Sequence, residues 1–379
     1  MTMLRAGVAW HVFALTGSPF HLGLLGLVQF LPTPVFMLVG GALADVYDRR
    51  RIMACAQTAA LACAAVLWLA TWSGTVTLPL LYGLVVAVGI AGAFDSPSRS
   101  ALLPSLVPRE MLPRVVTIAS TNQALAFTTG PALAGLVIAA AGVGAVYAVY
   151  ATLLVASLAG LALLRAPRPA ARGRLTIGTT LHAIRDGLVF VRRRQVVLGC
   201  MVLDMFAVIF GGANALLPIY AEEILHVGPR GYGLLTSSLE LGALLTALVL
   251  SVRPPIRRGG RALLAAVGAY GAATILFGLS RWFPLSIAAY LLVGIADQVS
   301  VVMRSTIVQL STPDEIRGRV SAVNMLFIGA SNQLGAAESG FVAWLTTAPF
   351  AVVSGGLGCL VVLAVVAATM PELRRYHVS

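Results

Sequence analysis

Apolar runs of membrane length follow one another along the chain, at roughly 22–44, 52–72, 77–95, 115–140, 144–164, 196–219, 231–252, 262–280, 284–303, 319–345 and 348–369. Each is long enough to predict a helix that crosses the hydrocarbon core, and short polar breaks carrying Gly, Pro, Ser and Arg separate them. A further run at the start is short, because only Leu4 to Leu15 precedes the turn signal Thr16-Gly17-Ser18-Pro19. Twelve residues rise about 18 Å as a helix, against a hydrocarbon thickness near 30 Å. This first helix is expected to be truncated on its N-terminal side, as a misplaced start would leave it, and to be a retained span rather than a cleaved signal.

The stretch 165–195 is the longest polar segment and divides the predicted spans into six and six. It predicts a bundle over 1–164 (spans one to six, the first incomplete), a cytoplasmic linker over 165–195, and a second bundle over 196–379 that ends in a short cytoplasmic tail. Within the linker, Thr179 to Arg194 has the spacing of an amphipathic surface helix, with Leu181, Ile184, Leu188 and Val191 on one face.

An ungapped shift that brings Pro79 onto Pro284 also superposes Gly89-Ile90-Ala91 on Gly294-Ile295-Ala296 and Arg99-Ser100 on Arg304-Ser305. Further on it matches Pro108 with Pro313, Glu110 with Glu315, Arg114-Val115 with Arg319-Val320, and Gly130 and Gly135 with Gly335 and Gly340. Six spans separate the copies, so both insert in the same orientation, the arrangement of transporters whose halves are related by an axis along the membrane normal.

Composition agrees with lipid as the main solvent: 59% of residues are hydrophobic and 11% charged, where soluble domains have about a quarter charged. The net charge of +12 would suggest nucleic acid, but its distribution removes that reading. Every basic residue is an arginine, and alternating twelve spans puts all of them on one side except Arg230 and Arg281. The positive-inside rule then sets both termini in the cytoplasm of a multi-pass protein of the cell (inner) membrane, with the arginines facing anionic lipid. The four cysteines, Cys55, Cys63, Cys200 and Cys359, fall singly in apolar runs, and the histidines lack metal-ligand spacing, so no disulfide framework or metal site is expected.

Between the second and third spans, Gly41-Ala42-Leu43-Ala44-Asp45 followed by Asp48-Arg49-Arg50-Arg51 resembles the loop signature of the major facilitator superfamily. Val46 stands where that signature has a basic residue, and Asp48 where it has glycine. Val8-Ala9-Trp10, Leu15-Thr16-Gly17-Ser18-Pro19 and Thr312-Pro313-Asp314-Glu315-Ile316-Arg317-Gly318-Arg319-Val320-Ser321-Ala322-Val323-Asn324 are similar to the branch of enterobactin-exporter-like transmembrane secretion effectors. Gly130-Pro131-Ala132-Leu133-Ala134-Gly135 resembles the Gly-Pro motif of antiporters in this superfamily, with Ala126 and Ala134 where the fuller motif has glycine. The resemblance covers nearly the whole chain. It implies an all-α membrane fold of two pseudo-symmetric six-helix bundles and secondary active transport, most simply efflux of an amphipathic small molecule (a drug or siderophore-like compound) by alternating access. A nutrient importer of the same fold and a non-transporting membrane sensor are the alternatives.

Physical chemistry assigns parts to the signature residues. Asp45 ends a helix at the cytoplasmic face, where the N-terminus of the eleventh span, near Gly318, offers a positive dipole end and Arg317 or Arg319 a cation. Asp45 is expected to latch the halves together in the outward-facing state, and Arg49 or Arg50 to pair with Asp95. Gly130, Pro131 and Gly135 predict a kinked, closely packed gate helix. Asp204, Glu240, Asp297 and Glu338 lie inside apolar runs, where an ionised carboxylate costs several kcal/mol unless it faces a wet cavity or finds a partner. Glu240, near the midplane, is the first candidate for proton coupling or for holding a cationic substrate. Asp204 and Asp297 are candidates to relay protons or to pair with Arg304, and Gln29 and Asn122 are candidate polar lining; hydrogen bonding between helices explains any of these residues equally well. No phosphate-cradling loop exists and no lysine, so a proton gradient rather than a nucleotide cofactor is the expected energy source. No constellation points to an enzyme. The expected partners are a small-molecule substrate and the bilayer, with no nucleic acid and a monomer as the working unit.

Overall fold

The computed structural model describes residues 1–30, 36, 39–40, 43, 47–164, 185, 187–254 and 256–377, and they contain no β-strand. The long helices are α1 (Thr2–Thr16), α2 (Pro19–Phe30), α3 (Arg49–Trp72), α4 (Leu78–Leu102), α5 (Leu112–Ala141) and α6 (Val143–Leu163). They continue with α7 (Gln195–Phe210), α8 (Gly228–Val252), α9 (Gly259–Leu279), α10 (Phe283–Leu310), α11 (Asp314–Leu345), α12 (Ala348–Thr369) and the short α13 (Pro371–Arg375). Among the described residues nine helices are long and apolar enough to cross a membrane, α7 being counted with its continuation to Ile224. The 32-residue α11 is long enough, but Asn324, Asn332, Gln333 and Glu338 make it more polar.

Local chemistry explains where the helices begin and end. Asp48 caps α3, its carboxylate accepting the backbone N–H of Arg50 at 2.9 Å, which gives the residue that departs from the loop signature a use of its own. Pro79, Pro113, Pro284 and Pro349 sit in the first turns of α4, α5, α10 and α12, where a missing N–H costs nothing. Gly142, at φ 78°, makes the one-residue corner between α5 and α6, a backbone conformation that side chains with a Cβ rarely adopt.

The helices group into two compact units. Unit 1 comprises Met1–Thr16 and Leu27–Leu175, unit 2 Gly17–Gly26 and Thr176–Ser379. In unit 1, α3 packs against α4 and α6, while α1 packs against α5 and α6. In unit 2, α10 packs against α8 and α9, α12 against α9, and α7 against α11 and α12. Chain order places the start of α2 in the first bundle, yet Gly17–Gly26 group with unit 2. The reason is a close crossing on α11: the Gly23 and Gly340 backbones meet where neither has a side chain, and Phe20 lies against Trp344 with ring centroids 5.6 Å apart.

Three expectations about elements change. The eleventh span begins at Asp314 rather than near Gly318, because Pro313 halts the preceding chain and Asp314 and Glu315 favour the first turn of a helix. The seventh run, read as continuous, breaks after Phe210 at Gly211-Gly212 and resumes through short turns over Ala213–Leu216 and Leu217–Ile219 and a π-helical turn over Tyr220–Ile224. The end of the linker, residues 187–193, is helical and docks on the bundle. Val191 is buried beside Val320 and Val323, and Gly187 lies against the Arg319 carbonyl, while Leu188, expected on the buried face, is exposed. Leu181 and Ile184 lie outside the described residues.

Candidate functional site

In unit 2 the ionisable residues expected at membrane depth fall on neighbouring helices. Asp204 lies on α7, Glu240 on α8, Asp297 and Arg304 on α10, and Glu338 on α11. Arg304 is 4% exposed and Asp204 7%, and Arg304 Nη1 donates to Asp204 Oδ2 at 2.7 Å. The same nitrogen reaches Asn324 Oδ1 of α11 at 3.3 Å, so one guanidinium ties three helices together. Asp297 lies within electrostatic reach of Asp204, Arg304 and Glu240, but among the described residues it forms neither a hydrogen bond nor an ion pair. Glu240 is likewise without a polar partner among the described residues. Glu338 accepts a hydrogen bond from the hydroxyl of Ser339 at 3.2 Å.

Backbone packing fixes the spacing of this set. On α8 and α10, Gly242 faces the Leu291 carbonyl and Gly294 the Leu239 carbonyl, each so closely that an added methyl group would overlap the oxygen. This crossing brings the helices that carry Glu240 and Asp297 into backbone contact. In α7 the break follows Asp204 by two turns. There the Tyr270 hydroxyl donates to the Gly211 carbonyl at 3.1 Å, and Gly355 of α12 leaves room for the Phe210 carbonyl. A span interrupted at depth, beside buried charge, is a construction by which transporters expose carbonyls and hinge their gates.

In unit 1 the Arg99 position occupies the same register as Arg304 in the repeat, and it too is paired. Arg99 binds Asp95 one turn earlier on α4, and Asp95 also accepts Gln57 Nε2 at 3.0 Å, while Ser157 donates to Gln57 Oε1 at 2.9 Å. Arg49 and Arg50 were expected to pair with Asp95; they donate instead to the Ala101 and Ala162 carbonyls, at 2.8 and 2.6 Å. The nearer cation, four residues away on the same helical face, takes the carboxylate, and the two other arginines cap helix ends. Gln57 and Ser157 had no signal in the sequence, since lone polar residues in apolar runs are common.

The Gly-Pro segment lies in the continuous helix α5. Gly130, Pro131, Ala134 and Gly135 are buried, Gly130 receives Thr2 of α1, and the Thr2 hydroxyl donates to the Ala126 carbonyl at 2.7 Å. Asn122 is exposed on the same helix, and Gln29 is partly buried on α2. Arg317 pairs with Asp314 within the first turn of α11. Gly41 and Asp45, and with them the proposed latch, lie outside the described residues. Among the described residues no group of three or more His, Cys, Asp or Glu is placed to hold a metal ion.

Comparison with known proteins gives one family and several relatives. The family model for transmembrane secretion effectors matches residues 1–377. The enterobactin exporter EntS of Escherichia coli O1:K1 is 25% identical over 376 residues, covering 99% of this chain and 89% of that protein. Macrolide efflux protein A of Streptococcus pyogenes is 23% identical over 251 residues, covering 66% and 62%. Among solved structures, a bacterial homolog of the human lysosomal transporter Spinster, inward-facing and unoccupied, superposes with a TM-score of 0.75 at 14% identity, covering 99% and 95%, and shares the fold.

Proposed function

We propose, since this chain belongs to the transmembrane secretion effector family of the major facilitator superfamily, that it exports an amphipathic small molecule across the inner membrane in exchange for protons. The chain is a multi-pass membrane transporter of the major facilitator fold. Export and an amphipathic cargo draw support from relatives named for enterobactin export and macrolide efflux. The observation that carries proton exchange is the set in unit 2, a buried Asp204–Arg304 pair with Asp297 and Glu240 at membrane depth and without an ion-pair partner of their own among the described residues. Carboxyls so placed can load a proton when a cavity opens to one side and release it when the cavity opens to the other. Alternating access by two similar bundles supplies those openings, with Gly130–Gly135 as the packed gate helix. The protein works without a cofactor and is not an enzyme in this reading.

Cells expressing the chain, loaded in parallel with ethidium, erythromycin and enterobactin, are expected to retain several-fold less of at least one compound than control cells. A protonophore is expected to abolish the difference. Equal retention of all three, or higher accumulation in the expressing cells, would count against export.

Orientation has its own test. Green fluorescent protein fused after Arg194 is expected to fluoresce, as it does only when it folds in the cytoplasm, and alkaline phosphatase at the same junction is expected to be inactive. The reverse pair of results would overturn the placement of the linker and of both termini.

A further inference from the structure

Asp204 on α7 and Asp297 and Arg304 on α10 lie on neighbouring helices of unit 2, and the geometry divides the two acids unequally. Arg304 is held by Asp204 at 2.7 Å and Asn324 at 3.3 Å, so Asp204 is compensated. Asp297 has no bonded partner among the described residues, and an uncompensated carboxylate at this depth costs several kcal/mol. The trio is electroneutral when Asp297 holds its proton. Arg304 lies two helical turns beyond Asp297 on α10, on the same face, and helical side chains lean toward the N-terminus of their helix, here toward Asp297. Its Nε is buried and has no acceptor among the described residues, so the cation has a spare donor there. Glu240 differs: it lies on α8, apart from the helix that carries Arg304, and has no polar partner among the described residues, so loss of its proton would leave a bare charge. A carrier must be able to exist in both states, and Arg304 makes the ionised state accessible for Asp297 alone.

We infer that Asp297 is the residue that carries the coupling proton, and that Arg304 is a positioning residue which stays with Asp204 while Asp297 is protonated and is shared with it once the proton has left. The inference deepens the proton-coupled reading above and rests on it. The proton comes from water on one side, forms an O–H bond on the Asp297 carboxyl, and returns to water on the other. The ionisable groups around Asp297 are Asp204 of α7, Glu240 of α8, Tyr270 of α9, and Arg304 and Tyr290 of α10, with Cys359 of α12 reaching Tyr270; the α11 contribution is the neutral Asn324.

The test uses the proton itself as probe, on the full chain in lipid nanodiscs. Infrared difference spectra are recorded on stepping from about pH 8 to about pH 6, a range in which exposed carboxyls stay ionised. The native protein is expected to gain a carboxylic-acid C=O band that Asp297→Asn lacks, Glu240→Gln keeps and Asp297→Glu shifts in frequency. A band that survives in Asp297→Asn, a band lost in Glu240→Gln, or no band in the native protein overturns the assignment. The conservative Asp297→Glu protein keeps the test decisive if Asp297→Asn folds poorly. Because no cargo is involved, a native protein that fails to expel any of the three compounds would refute export and leave the infrared result to be judged by itself.

Discussion

Replacing Arg304 with methionine is expected to destabilise the folded protein by about 3–5 kcal/mol, and adding Asp204→Asn to the same chain is expected to recover most of that loss. The single change keeps the bulk of the side chain but strands the Asp204 carboxyl, 7% exposed, without its cation. It also removes the donor that Asn324 accepts. The double change removes both charges, and a buried pair replaced by neutral groups of similar volume is often close to neutral in stability. The repeat supplies an internal control. Arg99 holds the equivalent register on α4, but its side chain is 65% exposed and its partner lies one turn away on the same helix. Arg99→Met is therefore expected to cost no more than about 1 kcal/mol. Thermal unfolding in one detergent, followed by loss of the monodisperse elution peak, ranks the three variants. Equal losses for Arg304→Met and Arg99→Met would mean that burial does not set the value of the pair.

The helical fold was legible because a membrane run is longer than any other apolar signal. Helix ends were less legible, since hydropathy falls at the first charge whereas a helix does not stop there. The fourth run fades at Asp95, yet α4 continues to Leu102 with Asp95 and Arg99 paired across one turn, and α10 runs seven residues past the apolar limit at Met303. The break at Gly211-Gly212 was hidden for a related reason. Glycine is neutral on a hydropathy scale, so the run 196–219 reads as unbroken, although two adjacent glycines at mid-span were the available signal. The Asp204–Arg304 pair was within reach of the sequence, because a carboxylate inside an apolar run, as Asp204 is, must find a cation or face water. The partner of Asp95 was misassigned because the loop signature directs attention to Arg49 and Arg50, whereas helical geometry favours Arg99. Gln57, Ser157 and Tyr270 were not legible at all, since their roles depend on which helix faces which.

Gly294→Leu is expected to be among the most damaging neutral substitutions in unit 2, lowering stability by at least about 3 kcal/mol and removing most folded protein from the membrane. A Cβ at Gly294 would overlap the carbonyl oxygen of Leu239, and one at Gly242 would overlap that of Leu291. Both obstacles are helical backbone, which no rotamer change can relieve, so α8 and α10 would have to move apart. Even a gap of about 0.5–1 Å forfeits a quarter to a half of each dispersion contact along the crossing. Gly160 provides the contrast: it lies within α6, no neighbouring element among the described residues comes within 4 Å of its added Cβ, and Gly160→Ala is expected to gain about 0.4–1 kcal/mol through the lost freedom of the unfolded chain. Yields of folded protein and melting temperatures of the two variants measure the difference, and a Gly294→Leu protein as stable as Gly160→Ala would show that the crossing is looser than its geometry. The crossing also sets the spacing of the two helices that carry Glu240 and Asp297. Gly294→Ala, a smaller wedge, is therefore expected to alter the pH dependence of transport in whatever protein still folds, joining the packing of α8 and α10 to the charge set between them.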